Sequence, residues 1–515
     1  MVICALVSLL LGVVYARLSA RAGQGFGAEL RKAEYRKIQG FSFSNMDHFS
    51  TPSLITRMTS DVTIIQNAVC NGLRPIVRGP VMMVMALAMS IAMSPQLTVV
   101  FLVAMPVLAV CLFLILRKLS PLYAGMQKAL DRVNSIVQEN LTAIRTVKSY
   151  VKGDSEYEKF SEGNESFRGS SERAFHYAVL NMPCFQFVMY GTILCILWFG
   201  GNFIREGTMQ VGQLTGFLSY VLQILNSLMM ISNVFLMLSR SMTSAGRIFE
   251  VMDEPAGIED GPGSCTVERG EIDFENVSFK YRETARESVL SDIRLHIGAG
   301  QTVGIIGGTG SAKSSLVQLI PRLYDVSEGS LKIDGRDVRE YSLVHLRDAV
   351  GMVLQKNTLF SGTIRENLKW GNEDSTDADL DWACRIACAD EFLSRMPEGY
   401  DTDLGQGGVN VSGGQKQRLC IARALLKRPR VLIFDDSTSA VDTATEAKIR
   451  RRLGEELKDT TRIFITQRIS SIEDADEIVV LEDGRISAVG THDELMESSV
   501  IYKDIYEFQQ KGATA

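Results

Sequence analysis

Two patterns of apolar and polar positions divide the chain near residue 245. Before it, long uncharged runs alternate with densely charged stretches; after it, apolar and charged residues interleave in the short segments that build a soluble α/β domain. A helix needs about 20 apolar residues to cross a bilayer. Residues 1–16 carry no charge and stop at Arg17 and Arg21, residues 79–116 are uncharged over a length suited to two crossings with Ser94 and Pro95 at the turn, and residues 174–204 and 207–239 form two further runs. The pattern predicts five spans, at about 1–17, 76–94, 96–116, 176–203 and 211–238, within an α-helical transmembrane domain of residues 1–245. A linker rich in Gly, Pro and acidic residues follows at 246–270, and strand-like alternation from Glu271 to Tyr281 opens a soluble α/β domain of residues 271–515.

Charge sets the orientation. Arg17, Arg21, Arg31, Lys32, Arg36, Lys37 and Arg57 lie in one connection (18–75), and Arg117, Lys118, Arg132, Arg145, Lys148, Lys152 and Lys159 in the other (117–173), which makes both cytoplasmic. They are longer than a helix-to-helix loop needs and rich in helix-favouring residues, so the spans are expected to continue beyond the bilayer, with bends at 48–54 and 152–160 where a short crosswise helix could touch another domain. This orientation leaves the N-terminus outside, and the uncharged opening lacks the basic region of a secretion signal. The expectation is that a first span is missing and that Met1 is an internal start.

Composition narrows the class. A chain of 515 residues that is 46% hydrophobic and 22% charged has those two properties segregated, as a membrane part and a soluble part require. The net charge of −6 comes with no basic stripe interleaved with aromatics, which argues against nucleic acid as a partner. Nine cysteines are scattered, and Cys384 and Cys388 lack a second pair, so they read as small buried residues rather than metal ligands.

Candidate chemistry concentrates at Gly307, Gly308, Thr309, Gly310, Ser311, Ala312, Lys313, Ser314 and Ser315, between the strand-like run 302–306 and a helix-like segment. A glycine-rich turn from strand to helix aims backbone N–H groups and a helix N-terminus at a polyphosphate. Lys313 is then placed for the β- and γ-phosphates, and Ser314 for Mg²⁺. The usual glycine before the lysine is Ala312, whose methyl group must fit against the phosphates or accept a backbone shape that glycine takes more easily.

Four further elements follow in order: VLQKNTLF at 353–360, VSGGQKQR at 411–418, VLIFDDSTSAVD at 431–442 and IFITQRIS at 463–470. With the phosphate loop, these make the soluble half resemble the ATP-binding cassette family of P-loop NTPases. The membrane half resembles that family's exporter branch, in which six spans and one cassette share a chain and two chains form a transporter. The resemblance implies ATP and Mg²⁺ as ligands. It places Tyr281 on the adenine, Gln355 on Mg²⁺ or the attacking water, and Asp435 on the metal. Ser412, Gly413, Gly414 and Gln415 would face the γ-phosphate of ATP bound to the other cassette of the dimer, and Asp442 would belong to the loop linking the two sites.

Three departures from the family pattern fall on one nucleotide site. The general base is usually glutamate and here is Asp436, one methylene short. The histidine that contacts the γ-phosphate is Gln467, which hydrogen-bonds but carries no proton or positive charge. Ala312 is the third, while the SGGQ element is intact. The first reading is a degenerate-site half of a heterodimeric exporter, in which a second half-transporter supplies the competent base and histidine. Open beside it are a slow homodimeric exporter using Asp436 and an ATP-sensing membrane subunit that transports nothing. The resemblance implies an integral protein of a bacterial plasma membrane with a cytoplasmic cassette. Sparse charge in the spans favours an amphipathic drug, lipid or peptide as the exported substrate.

Overall fold

A computed structural model describes residues 2–263, 265–436 and 441–513. Met1 of the first predicted span, Ser264 of the predicted linker and residues 437–440 of the 431–442 stretch lie outside the described residues. The chain forms two compact units, one of residues 1–35 with 55–252 and the other of residues 36–54 with 253–515.

The first unit is helical. In chain order the helices up to residue 253 are α1 (Val2–Gln39), a short α2 (Phe43–His48) that belongs to the second unit, α3 (Thr51–Thr56), α4 (Val62–Met93), α5 (Pro95–Thr142), α6 (Ile144–Ser149), α7 (Gly153–Val179), α8 (Asn181–Arg205) and α9 (Val211–Asp253). Among the described residues five helical stretches are long and apolar enough to cross a membrane: Val2–Gln39, Thr51–Met93, Pro95–Thr142, Gly153–Arg205 and Val211–Asp253. Each overlaps one of the spans expected from the sequence. At 1.5 Å per residue, the 48 residues of α5 reach roughly 72 Å, more than twice a hydrocarbon core of about 30 Å. α5 is therefore much longer than one crossing requires. Ser94 caps α5 by accepting the Leu97 N–H at 3.4 Å, and Pro95 occupies the helix start, where its missing N–H costs nothing.

Between α3 and α4, residues Arg57–Asp61 form a π-helical turn that carries two buried charges. Asp61 accepts from Ser244 Oγ at 2.8 Å and pairs with Arg247, while Arg57 pairs with Glu250 at 2.9 Å and donates to the Arg247 carbonyl. The partners all lie on one stripe of α9.

The second unit contains the strands β1 (Ile272–Phe279), β2 (Leu290–Ile297), β3 (Thr302–Gly307), β4 (Glu328–Ile333), β5 (Arg336–Asp337), β6 (Val350–Val353), β7 (Gly362–Thr363), β8 (Asp403–Leu404), β9 (Val431–Asp435), β10 (Thr461–Ile465), β11 (Glu477–Glu482) and β12 (Arg485–Gly490). One sheet has the order β12-β11-β3-β10-β9-β6, parallel except for β12; an antiparallel sheet has the order β2-β1-β4-β5; β7 pairs with β8. The central strands are apolar because helices and the second sheet cover both faces: all five residues of β9 are buried. Such a sheet binds ligands beyond the carboxyl ends of its strands. Here β3, β10, β9 and β6 end side by side, which gathers motifs spread over 160 residues of chain at one edge.

The segment 36–54 packs with the cassette rather than with the helices it connects. Ser42 starts α2 with a capping box, and the Asn45 side chain bonds Glu254 and the Pro255 carbonyl at 3.0 Å each and accepts from the Gly257 N–H at 2.9 Å.

Candidate functional site

β3 delivers the chain to the glycine-rich turn at Gly307, where a Cβ would stand 2.1 Å from the Leu481 carbonyl, so only glycine passes this close to β11. Gly308 and Gly310 face open space, and the helix Lys313–Leu319 begins immediately after Ala312. Ala312 adopts the left-handed conformation, φ 68° and ψ 22°. Of the two routes open to its methyl, the chain takes the backbone shape usually left to glycine, at about 1–2 kcal/mol. The methyl packs, partly buried, against the apolar core beneath the loop, which offsets some of that cost.

Lys313 turns back into the loop and donates to the carbonyls of Gly307 at 2.8 Å and Gly308 at 2.7 Å, and to Ser311 Oγ at 3.3 Å. Burial holds its ammonium below the ordinary lysine range, with Asp436 and Asp435 pulling the other way. Ser314 Oγ donates to Asp435 Oδ1 at 2.7 Å across the mouth of β9. Asp435 is 3% exposed, and burial raises its carboxyl above the usual carboxylate range despite that hydrogen bond.

Asp436 follows in a left-handed conformation, φ 44°, with its pKa also raised by burial. The amides of Gln355, beyond β6, and Gln467, beyond β10, both approach its Oδ2, at 3.5 Å and 3.4 Å. Gln467 is itself held from behind, its carbonyl accepting from Gln509 Nε2 at 2.6 Å. Residues 309–315, Gln355, Asp435, Asp436 and Gln467 wall one cavity of about 340 Å³, with Val289 and Ile465 as apolar wall that the sequence reading did not single out. Arg468 was also missed; its positive charge lowers the Asp436 pKa, and it lies 3.8 Å from the buried Glu446. A cation next to Gln467 in the sequence is the signal that could have found it.

The hydroxyl of Ser314, the carboxylate of Asp435 and the side-chain amide of Gln355 form an oxygen-rich set on one cavity, and such a set suits a hard divalent cation. The residues present therefore fit Mg²⁺.

Tyr281 lies just past β1 and outside that cavity wall, 41% exposed, with its hydroxyl 2.8 Å from Ser315 Oγ. Ser412, Gly413, Gly414 and Gln415 are not among the cavity's lining residues either. They start the 14-residue helix Gly413–Leu426 with a capping box, in which Ser412 Oγ accepts the Gln415 N–H at 3.3 Å and Gln415 Oε1 accepts the Ser412 N–H at 2.8 Å. Ser412 and Gly413 are exposed, so this helix N-terminus opens outward. Asp442 caps the helix Thr443–Glu456 by accepting the Thr445 N–H at 2.9 Å, and that bond lowers its pKa.

Comparison with known proteins places this geometry in a family. The family described as ABC transporter transmembrane region matches residues 1–228, and the family described as ABC transporter matches residues 290–439. The chain is 40% identical over 499 residues to the uncharacterized ABC transporter ATP-binding protein YfiB of Bacillus subtilis, covering 97% of this chain and 86% of that one. It is 32% identical over 500 residues to the ATP-dependent lipid A-core flippase of Desulfotalea psychrophila, covering 96% of this chain and 86% of the relative. Among solved structures, a bacterial Atm1-family ABC exporter with ATP bound superposes with a TM-score of 0.84 at 25% identity, over 98% of this chain and 88% of that one. The chain thus belongs to the ABC exporters, integral membrane proteins in which a helical transmembrane domain precedes an ATP-binding cassette.

Proposed function

We propose that the chain is one half of a heterodimeric ATP-driven exporter in a bacterial plasma membrane, with the cassette of residues 271–515 on the cytoplasmic side. Its own site binds Mg²⁺ and ATP but turns over slowly, and its Ser412, Gly413, Gly414 and Gln415 complete the catalytic site of the partner chain. The observation that supports this reading is the grouping of Ala312, Asp436 and Gln467 on one cavity while the capped, outward-facing 412–415 segment keeps the family pattern.

In this reading the phosphates lie under the N–H groups of the loop, and Lys313 exchanges the Gly307 and Gly308 carbonyls for phosphate oxygens. Ser314, Asp435 and Gln355 would hold Mg²⁺, which supplies charge neutralisation at the β- and γ-phosphates. Asp436 is the remaining acid positioned to take a proton from water. Its side chain is one methylene shorter than glutamate, and a misplacement of about 1 Å costs on the order of 100-fold. Gln467 beside it donates a hydrogen bond without a proton to transfer. A second reading, a slow homodimer, draws on Asp436 still being an acid that faces the cavity.

The exported molecule is expected to be an amphipathic drug, lipid or peptide, since the spans carry few charges, and the lipid A-core flippase among the relatives fits that range. The test is to purify the chain alone in lipid nanodiscs and with a neighbouring half-transporter carrying Glu and His at the corresponding positions. Slow hydrolysis alone and fast hydrolysis with the partner is the expected result. Turnover alone on the order of ten per second, an ordinary enzyme rate, would exclude the degenerate-site reading.

A further inference from the structure

Tyr324 is the hub of an aromatic cluster that reaches from the nucleotide side of the cassette to the short helix α2. It is 8% exposed, and its ring centroid lies 5.5 Å from Phe279, 5.1 Å from Tyr281 in an edge-on contact, and 6.0 Å from Phe43 of α2. Its hydroxyl donates to Asp47 Oδ2 at 2.8 Å, and Asp47 also belongs to α2. Burial and that bond raise the phenol's pKa, so Tyr324 stays protonated and the direction of the bond is fixed. Tyr281 in turn is held by Ser315, 6% exposed, in the first turn of the helix that follows the phosphate loop.

We propose that Tyr324 is a positioning residue that ties occupancy of the adenine face of Tyr281 to the placement of α2. The proposal rests on reading Tyr281 as the residue that stacks on the base. Tyr281 is 41% exposed and meets both Phe279 and Tyr324 at steep ring angles, 76° and 85°. A base settling on the ring fixes its tilt, and in a close-packed cluster that tilt is shared with Tyr324. The Tyr324 hydroxyl then either keeps or loses the Asp47 carboxylate, and with it the hold on α2. The other side of α2 is anchored by Asn45 on residues 254–257, so Asp47 is the adjustable contact. The coupling is reciprocal: whatever displaces α2 changes how well the base is held.

The test is hydrogen–deuterium exchange of residues 41–49 in the full-length chain in nanodiscs, alongside the Kd of a fluorescent ATP analogue. Mg-ATP is expected to slow exchange in this segment several-fold, whereas Mg-tripolyphosphate, which carries no base, leaves it unchanged. Tyr324→Phe keeps the ring and deletes the donor. It is expected to shrink the ATP-dependent change by at least about fivefold, the scale of one hydrogen bond, with Kd moving less than about twofold. Asp47→Ala should do the same, and Asp47→Asn, which keeps an acceptor oxygen, should restore most of the effect. A purely structural role for Tyr324 would alter exchange equally with and without ATP. Tyr281→Ala separates the two readings, because loss of stacking should weaken ATP binding by about tenfold. An unchanged Kd in Tyr281→Ala overturns the adenine assignment. A weakened Kd with full ATP protection persisting in both Tyr324→Phe and Asp47→Ala overturns the tie, as does equal protection by tripolyphosphate.

Discussion

In a complex with a partner that supplies Glu and His, Ser412→Ala is expected to remove most ATPase activity, while Lys313→Ala leaves a substantial part. The capping geometry sets the first magnitude. Ser412 Oγ spends a lone pair on the Gln415 N–H, which leaves its O–H proton to donate to a phosphate oxygen of the partner's ATP. Loss of one donor aimed at developing charge costs about 100- to 1,000-fold. The structural cost is smaller. Losing the cap hydroxyl destabilises the helix by about 1 kcal/mol, and the bond from the Ser412 N–H to Gln415 Oε1 survives the substitution. Ser412→Thr, which caps and donates, should recover activity. At Lys313 the Nζ that now holds two carbonyls would be lost to the phosphates. A hydrogen bond to a charged group contributes about 1.5–3 kcal/mol, so ATP affinity at this site should fall roughly 10- to 100-fold. Saturating ATP compensates for lost affinity but not for a lost transition-state donor. Phosphate release over an ATP titration, with the same partner for both variants, reads the difference. If Lys313→Ala is the more damaging change at saturating ATP, the degenerate-site arrangement is wrong and the homodimer is the better account.

Three further outcomes follow from the same cavity. The double variant Asp436→Glu with Gln467→His should raise ATPase activity of the assembled transporter, provided the partner's own SGGQ-type element is intact; no gain with that element intact would shift the blame to Ala312. Asp435→Asn should weaken binding of Mg²⁺ with ATP, seen with a fluorescent nucleotide, yet raise the melting temperature of the nucleotide-free chain at neutral pH. The sign comes from the raised pKa: the folded state favours the protonated form, so stability falls as pH rises from the ordinary carboxylate range through the raised value, and the amide removes that loss. Melting curves of the two proteins should therefore converge at low pH; a constant offset would mean that burial of the charge is not the cause. Finally, Ala312→Gly should change stability by less than about 1 kcal/mol, since relief of the left-handed backbone is countered by loss of a packed methyl and by a floppier unfolded chain.

The parts legible in the sequence were those written contiguously. The phosphate loop, the strand that ends in Asp435 and the capped 412–415 segment each combine a local pattern with a local geometry, and parallel strand order then brings them to one edge. The spans were legible because a bilayer demands long uncharged runs. Tyr324 was not legible, because its partner Asp47 lies 277 residues away and nothing local to either residue marks the pair. The allegiance of residues 36–54 was legible in part: a bend at 48–54 that could touch another domain was expected, but the segment grouped with the cassette starts earlier, at residue 36. The positive φ of Asp436 escaped for a different reason: the strain is set by where β9 must turn, and aspartate shows no sign of it.

The charged π-turn of residues 57–61 carries a mechanical consequence. Ser244, Arg247 and Glu250 succeed one another every three residues along α9 and meet Asp61 and Arg57 as a matched set. A shift of one residue, about 1.5 Å, pulls every partner out of register, and leaving a buried charge uncompensated costs about 3–5 kcal/mol. Movement of α9 against the turn is therefore resisted wherever it draws Ser244 and Arg247 away from the buried Asp61. The turn thus pins this length of the helix, because small pushes are met at Asp61 and Arg57 together.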